Sequence, residues 1–243
     1  MIDANTWVIV PVKSFTGAKG RLAPLLTASE RAALAQAMLG DVLHALAGVA
    51  GLRHVAIVTG ADEVADDARR LGLAVIDDHG ANSTNAAIKV GLIDVARRHG
   101  GPVLVLPSDV PCVRSVDIEA LLAASRKSGV AIAPALHDGG TNALACDGPG
   151  RIAPCFGPSS FARHIQAANR NGLRPVVVPN GRLGLDLDEP HHLAEFLARR
   201  TDTRTDAYLR SLQLDGRAAW PVRSEMQQPQ STTLAVVADG ETI

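Results

Sequence analysis

Aromatic side chains are scarce in this sequence. Phe, Trp and Tyr together make up 3% of its 243 residues, so the core must be built from smaller aliphatic side chains. Proteins that bind single-stranded nucleic acid stack the bases on aromatic rings, and such rings are nearly absent. The net charge is only −1, which gives no basic surface for nucleic acid or anionic membranes. We therefore expect no nucleic acid and no membrane among the partners.

Cysteines and long apolar runs are also few. The three cysteines, Cys112, Cys146 and Cys155, form no Cys-x-x-Cys pair, which argues against a disulfide framework or a Cys-rich zinc site. Reduced thiols in a cytoplasm fit this usage best. No apolar stretch approaches the roughly 20 residues that span a bilayer. The segment Met1–Asn5 lacks the basic region of a signal peptide, so a cytoplasmic location is expected.

The sequence is rich in short apolar runs that alternate with helical patterns. Val103–Leu106 is apolar without alternation, which is typical of a parallel strand buried on both faces. We expect this strand to end at about Asp109, because Pro111 cannot continue a central ladder. Trp7–Lys13 predicts the first strand in the same way. Thr27 and Glu30 have the spacing of a capping box at the start of a helix that runs to about residue 47.

The remaining elements also alternate. Strands are predicted at 55–59, 74–78, 130–135, 141–146 and 175–179, and helices at 62–71, 85–98, 117–125, 161–169, 191–199 and 207–212. This order predicts an α/β fold, a three-layer, mostly parallel and Rossmann-like sheet with helices on both faces. We expect one domain over residues 1–215. A flexible tail is expected over 216–243, where Gln, Pro, Ser and Thr are frequent.

Four segments at predicted strand ends carry candidate chemistry. The first is the loop Ser14–Leu22, whose glycines let backbone N–H groups approach an anion while Lys13, Lys19 and Arg21 supply positive charge. It matches neither the Walker pattern nor GxGxxG. Taken alone, cations in a loop are more often merely solvated.

Acidic residues form the second and third segments. Asp109 follows one apolar run, and Asp186 and Asp188 follow another. Open α/β sheets bind ligands at the carboxyl ends of their strands, and Mg²⁺ prefers carboxylates together with phosphate oxygens. Helix N-capping is the alternative for each Asp. Because Pro190 suits an early helical position, capping is favoured for Asp188 and metal binding for Asp186.

The fourth segment comprises Thr141-Asn142 and the turn Gly157–Ser160 at the start of a helix. Free N–H groups and hydroxyls at such a turn can bind an anion, although an ordinary N-cap serine is the alternative. Neither a GxSxG elbow nor an HExxH motif is present. The chemistry that remains is positioning and electrostatics, as in phosphoryl and nucleotidyl transfer.

Together these segments resemble the CofC/FbiD guanylyltransferases of coenzyme F420 biosynthesis, which are relatives of the GT-A-like nucleotidyltransferases. The most specific pieces are Val10–Lys13, Ala18–Leu22, Gly140–Leu144, Phe156–Phe161 and Leu185–Pro190. The resemblance implies a reaction between GTP and a small phosphorylated three-carbon acid, which yields a GMP-linked diphosphate and pyrophosphate. The acid would be 3-phospho-D-glycerate, phosphoenolpyruvate or 2-phospho-L-lactate.

The resemblance also implies site residues and partners. Mg²⁺ would be held by Asp109 and Asp186, with Asp188 as the other candidate ligand. Three groups of further residues are implied: catalytic Lys19, Arg21 and Asp109; nucleotide-binding Pro11, Val12, Lys13, Lys19 and Asn85; and acceptor-binding Thr141, Gly157 and Ser160. Family habit favours a homodimer and a downstream F420 transferase as partners, which the residues themselves do not decide.

One departure concerns the segment Asn82–Asn85, which is more polar than the glycine-leucine-asparagine of the family. Extra polar groups would suit an acceptor that carries a hydroxyl, and this favours 3-phospho-D-glycerate. Two alternatives stay open. One is another nucleotidyltransferase of the same fold, of the molybdopterin or sugar-phosphate type, although those usually open with a longer glycine-rich loop. The other is a non-catalytic protein that binds GTP without releasing pyrophosphate.

Overall fold

Seven strands form one sheet in the computed structural model, which describes residues 2–98, 100–217 and 219–220. The strands are β1 (Trp7–Pro11), β2 (His54–Val58), β3 (Ala74–Ile76), β4 (Val103–Val105), β5 (Val130–Pro134), β6 (Thr141–Cys146) and β7 (Val176–Val177). The helices are α1 (Ala28–Ala47), α2 (Asp62–Arg70), α3 (Thr84–Arg98), α4 (Ser115–Ser128), α5 (Ser160–Arg170), α6 (Pro190–Ala198) and α7 (Arg204–Ser211). No described helix is long and apolar enough to cross a bilayer.

The sheet has the order β3-β2-β1-β4-β6-β5-β7. All neighbouring strands are parallel except those beside β6, which lies antiparallel between β4 and β5. The predicted mostly parallel sheet is confirmed. Val105 at the end of β4 pairs with Leu144, so the first residues of β6, Thr141 and Asn142, extend beyond that end. Because β6 runs in the opposite direction, its first residues lie at the edge of the sheet where the parallel strands end.

Helices cover both faces of the sheet, as predicted. Successive residues of a strand point to opposite faces, and β1 is buried on both. Val8 and Val10 pack in a core cluster with α1, α2 and α4, whereas Trp7 and Ile9 pack in a second cluster with α3 and α5. Helix α3 lies so close to the sheet that a Cβ on Gly91 would stand 2.8 Å from the Val58 side chain.

A third cluster holds the segment that follows the sheet. Leu185 and Leu187 are fully buried in it, together with α6 and α7 side chains such as Phe196. The sequence here alternates Leu and Asp from 185 to 188. In an extended segment, alternate residues face opposite sides, so burial of the two leucines turns Asp186 and Asp188 together to the other side.

Several predicted element boundaries differ from the structure. Strand β4 ends at Val105 rather than near Asp109, because Pro107 has no N–H for the ladder; Leu106 still donates to the Ile9 carbonyl at 3.0 Å. The late strand shrinks to Val176–Val177, which leaves out the flanking prolines. Beyond residue 215, Arg217 still binds the Glu30 carboxylate at 2.7 and 2.8 Å. Residues 221–243 of the expected tail lie outside the described residues.

The predicted start of α1 is confirmed. Thr27 is the N-cap and its hydroxyl accepts from the Glu30 N–H at 3.3 Å, while the Glu30 carboxylate accepts from the Thr27 N–H at 2.8 Å. This reciprocal pair satisfies two of the N–H groups that every helix start leaves open. The loop Ser14–Leu22 therefore leads into a firmly capped helix.

Candidate active site

The three aspartates that sequence analysis singled out lie together. Carboxylate oxygens of Asp109, Asp186 and Asp188 are all within 4.8 Å of one another. The Leu187 N–H donates to the Asp109 carbonyl at 3.2 Å, which ties the loop after β4 to the segment that carries the other two acids. Residues far apart in sequence thus form one acidic group at the carboxyl end of the sheet.

The capping interpretations of Asp109 and Asp188 are wrong. Helix α4 begins at Ser115, with Arg114 as its N-cap, so Asp109 lies outside it. Pro190 does occupy the first turn of α6, but the N-cap is Glu189 and no side chain caps this helix. The Asp188 carboxylate is instead used in an ion pair.

Lys19 is the cation of that pair. Its Nζ lies 2.7 Å from Asp109 Oδ2 and 2.6 Å from Asp188 Oδ1, and its side chain is only 10% exposed. The backbone of Lys19 is left-handed, with φ 52°, a conformation that non-glycine residues adopt where the surroundings hold it. Burial favours the neutral amine, but the two carboxylates outweigh it and raise the pKa of Lys19. The amine is therefore charged at neutral pH.

Among the described residues, no cation forms an ion pair with Asp186, the third member of the trio. Burial and then repulsion from Asp109 raise the pKa of its carboxyl to about 6. Asn142 donates from Nδ2 to Asp186 Oδ1 and to the Gly184 carbonyl, both at 3.0 Å, and so fixes the carboxylate. Sequence reasoning missed this function of Asn142. Strand alternation places Asn142 on the face of β6 opposite to Thr141, but it does not identify Asp186 as the partner.

A cleft of about 740 Å³ adjoins the acids. The predicted nucleotide and catalytic residues Pro11, Val12, Lys13, Lys19, Arg21 and Asp109 all line it, as does Asp188. Arg31 supports the loop by donating to the Ala18 carbonyl at 3.2 Å and the Leu26 carbonyl at 2.8 Å. Asp78 and Thr84 also line the cleft; Thr84 belongs to the polar segment Asn82–Asn85, whereas no site role was predicted for Asp78. Four cations and three acids therefore face or support one concave surface.

Asn85 does not line this cleft. Its Nδ2 donates to the Phe156 carbonyl at 2.9 Å, and its Oδ1 accepts from the Phe156 N–H at 2.7 Å. The amide thus joins α3 to the segment that precedes α5. A nucleotide contact by Asn85 stays a prediction from the resemblance.

Gly157 and Ser160, two of the predicted acceptor-binding residues, lie at the start of α5, and the third, Thr141, contacts the same helix at His164. We call these three residues the acceptor cradle. The Ser159 N–H donates to the Asp138 carbonyl and the Phe161 N–H to the Gly139 carbonyl, both at 3.0 Å. The ordinary N-cap interpretation is wrong, because the N-cap Ser159 has a left-handed backbone and makes no side-chain cap bond. Ser160 is fully buried, and its Oγ has no partner in the described part of the chain.

A second group of potential metal ligands consists of His137, His191 and His192, whose ring nitrogens lie within 4.8 Å of one another. Their geometry does not suit a metal. His192 Nδ1 accepts from the Asp188 N–H at 3.2 Å, so a neutral His192 carries its proton on Nε2 and offers no lone pair there. The His137 and His192 rings are also stacked, 4.5 Å apart at 20°, which prevents their in-plane lone pairs from converging on one ion.

Comparison with known proteins decides the family. The model described as guanylyl transferase CofC like matches residues 6–227. The chain belongs to this family. The predicted resemblance and the predicted nucleotidyltransferase activity are thereby confirmed.

Curated relatives carry all three expected acids in their names. The chain is 39% identical over 195 residues to a phosphoenolpyruvate guanylyltransferase of Rubrobacter xylanophilus, covering 80% of this chain and 94% of the relative. It is 37% identical over 211 residues to a 2-phospho-L-lactate guanylyltransferase of Methanothermobacter thermautotrophicus (86% and 91% covered). It is 37% identical over 213 residues to a 3-phospho-D-glycerate guanylyltransferase of Phenylobacterium zucineum (86% and 98% covered).

Solved structures confirm the predicted fold class. A candidate nucleotide-diphospho-sugar transferase of Desulfovibrio desulfuricans G20 superposes with a TM-score of 0.72 at 18% identity, covering 86% of this chain and 95% of that one. A 4-diphosphocytidyl-2C-methyl-D-erythritol synthase gives a TM-score of 0.55 at 13% identity, with 82% and 99% covered. At these identities the likeness concerns the fold alone.

Proposed function

We propose that this enzyme transfers GMP from GTP to the phosphate of a small phosphorylated three-carbon acid in coenzyme F420 biosynthesis. The observation that carries the proposal is the Asp109–Asp186–Asp188 group: two of the acids line the cationic cleft, and the third, Asp186, is bound by Asn142, the neighbour of Thr141 in β6. A nucleotidyl transfer needs these three parts: a place for a triphosphate, a place for an anionic acceptor, and charge compensation between them.

Mg²⁺ is the metal that fits the acidic group. The group offers carboxylate oxygens, which a small hard cation prefers. Phosphate oxygens and water would fill the remaining coordination positions of the ion. Asp109 and Asp186 would hold the ion, and Asp188 supplies a further oxygen within the same 4.8 Å. When bound, Mg²⁺ withdraws charge from the reacting phosphate and orients it.

The side chains of the protein position the reactants. Lys13, Lys19 and Arg21 would face the triphosphate in the cleft, and Thr141, Gly157 and Ser160 would hold the anionic groups of the acid. An oxygen of the acceptor phosphate attacks the α-phosphorus of GTP in line. The new phosphorus–oxygen bond forms as the bond to the bridging oxygen breaks, and pyrophosphate leaves with that electron pair. The cations stabilise the charge that develops, and no covalent enzyme intermediate is required.

Among the three acids we favour 3-phospho-D-glycerate. Thr84 adds a hydroxyl where the family has an apolar residue, and it precedes Asn85, whose amide binds the Phe156 backbone next to Gly157 of the acceptor cradle. Ser83 contributes less to this argument than its sequence position suggests, because its Oγ accepts from the Ala86 N–H at 3.2 Å and so serves the start of α3. Equal turnover of all three acids would overturn this preference.

The decisive experiment measures pyrophosphate release from GTP and Mg²⁺ with each acid in turn. Wild type is compared with Asp109→Asn, which keeps the shape but removes the charge, and with Asp66→Asn as a matched exchange on the exposed surface of α2. We expect release with at least one acid, a loss of about 100-fold or more in D109N, and no change in D66N. If GTP binds to the wild type and no acid drives release, the proposed function is wrong.

The partners follow from the same proposal. A homodimer, a downstream F420 transferase and a cytoplasmic location are the expectations that accompany this activity. Sedimentation velocity of the full chain tests the first of them, and co-purification with the transferase tests the second.

A further inference from the structure

His164 is a fully buried histidine in α5 that sequence reasoning did not single out. Its Nδ1 lies 2.9 Å from Thr141 Oγ1 in the acceptor cradle, and its Nε2 lies 3.0 Å from the backbone nitrogen of Cys155. Both ring nitrogens therefore have a partner, and the two partners differ in chemistry. A hydroxyl can donate or accept, whereas a backbone N–H can only donate.

The Cys155 N–H fixes the tautomer of His164. Because this N–H donates to Nε2, that nitrogen must carry a lone pair and not a proton. Burial, followed by the nearby Arg163, lowers the pKa of His164 to about 4, so the ring is neutral at physiological pH. Its one proton must then be on Nδ1, which donates it to Thr141 Oγ1.

The hydroxyl of Thr141 is thereby left with a free proton. It accepts from His164, and no other partner of Thr141 Oγ1 occurs among residues 2–98, 100–217 and 219–220. With the opposite tautomer, the hydroxyl would donate to Nδ1 and present only lone pairs to a ligand. A phosphate or carboxylate accepts hydrogen bonds and repels lone pairs, so this difference decides whether Thr141 attracts or repels an anion.

Ser160 provides a second hydroxyl that suits an anionic ligand. It lies one helical turn before His164 on the same face of α5, and its fully buried Oγ has no partner within the described ranges. A buried hydroxyl without a hydrogen bond is costly. A ligand oxygen would satisfy it.

We propose that His164 is a positioning residue that, as the Nδ1–H tautomer, directs the Thr141 hydroxyl proton toward the anionic group of the acceptor acid. The inference rests on the proposed function for the identity of the acid. The tautomer of His164 is independent of the proposed function, because the Cys155 N–H sets it in the free protein. His164 itself makes no contact with the reacting atoms.

Two amide variants separate this role from simple support of the segment before α5. Asn in place of His164 puts an N–H donor near the Nδ1 position. This variant keeps the bond to Thr141 and loses the acceptor for the Cys155 N–H. Gln puts an oxygen near the Nε2 position, which keeps the Cys155 bond and loses the donor to Thr141. The segment is also held by Asn85 and by Arg163, which donates to the Cys155 carbonyl at 2.9 Å, so both variants should fold. Their melting temperatures check this.

We expect H164Q to raise KM for the acid by roughly 10- to 100-fold, the usual effect of a lost hydrogen bond to a charged group, with KM for GTP unchanged. H164N should stay close to wild type. In a Thr141→Val background, H164Q should have no further effect, because the hydroxyl it directs is gone. The opposite ranking, with H164N impaired and H164Q near wild type, would show a structural role and overturn the proposal.

A spectroscopic measurement keeps the inference independent of turnover. In protein with ¹⁵N-labelled histidine, the ring nitrogens of His164, assigned by their loss in H164N, should show a neutral ring protonated at Nδ1. A ring protonated at Nε2 or at both nitrogens would overturn the inference. If wild type turns over no acid, the proposed function fails, while the tautomer and the Thr141-dependent binding of inorganic phosphate, measured by calorimetry, still decide the role of His164.

Discussion

Lys19 Nζ lies 2.7 Å from Asp109 Oδ2, so a protein cation already touches an oxygen of the proposed metal site. Replacing Lys19 with Met removes that charge while keeping the length of the side chain. The carboxylates then keep all their attraction for a divalent ion. We expect the affinity for Mn²⁺, as a probe for Mg²⁺, to rise about tenfold, or about 1.4 kcal/mol, while turnover falls about 100-fold.

Calorimetric titration with Mn²⁺ and the pyrophosphate assay give the two numbers for K19M. Lys127→Met, an exchange on the exposed surface of α4, should change neither. Loss of turnover together with weaker metal binding would mean that Lys19 supports the site instead of competing with the ion.

Asn85 offers a second discriminating substitution. The structure uses both ends of its amide on the Phe156 backbone, which lies next to Gly157 of the acceptor cradle. Asn85→Ala should therefore raise KM for the acid by about 10-fold and leave KM for GTP unchanged. Initial rates with each substrate varied in turn measure this. A rise in KM for GTP alone would favour the nucleotide contact that the family resemblance implies.

Acid should destabilise the protein partly through His164. The folded pKa is lowered to about 4 by burial, whereas an unfolded histidine titrates near 6.5. Between these values the unfolded chain binds more protons, so stability falls as pH falls from about 6.5 to 4, by up to about 1.4 kcal/mol per pH unit. His192, also lowered to about 4, contributes in the same window.

Urea unfolding of wild type and H164N from pH 7 to 4 checks this contribution. The free energy of unfolding of the variant should fall less steeply with falling pH, even if the variant is less stable at pH 7. The two slopes should differ by the amount that one fewer proton taken up on unfolding gives. Gln36→Asn, a non-titrating exchange on the exposed surface of α1, should keep the wild-type slope. An H164N slope equal to that of wild type would mean that His164 is already protonated in the folded protein.

The Arg217–Glu30 pair gives a prediction of the same kind with a different pH range. Hydrogen bonds from Arg217 lower the pKa of the Glu30 carboxyl to about 2, although burial opposes this shift. The unfolded value is about 4.3. The resulting stabilisation is present above about pH 4.3 and is lost as pH falls toward 2. Arg217→Ala should lower the free energy of unfolding at pH 7, and this difference from wild type should disappear at low pH in denaturant titrations. Arg97→Ala, exposed on α3, should cost nothing at either pH.

Local patterns predicted those features of the fold that depend on near neighbours. The Thr27–Glu30 capping box was predictable because its two bonds join residues within one helical turn. The alternation of Asp186 and Asp188 with leucines also contains their common direction, although the capping interpretation of Asp188 separated the two acids. The predicted helices and strands are therefore confirmed, with differences mainly at their ends.

Contacts between residues far apart in the sequence could not be predicted. The partners of Lys19 lie 90 and 169 positions further along the chain, and no local pattern specifies such contacts. The same holds for the bond between Asn142 and Asp186. His164 looked like one more helical residue, since its role depends on a tautomer set by the Cys155 backbone. The predicted end of β4 was too late, because the prediction took Pro111 rather than Pro107 as the residue that stops the ladder.

The reversal of β6 has a consequence for how this enzyme family can diversify. The carboxylates and the cationic loop are carried by connections outside residues 135–164, whereas the acceptor cradle and its histidine lie within them. Asn142, which steadies Asp186, travels with that segment. We therefore expect that exchange of residues 135–164 between relatives that act on different acids would move the proposed acceptor cradle as one segment, while Thr84, Asn85 and the transfer chemistry stay in place.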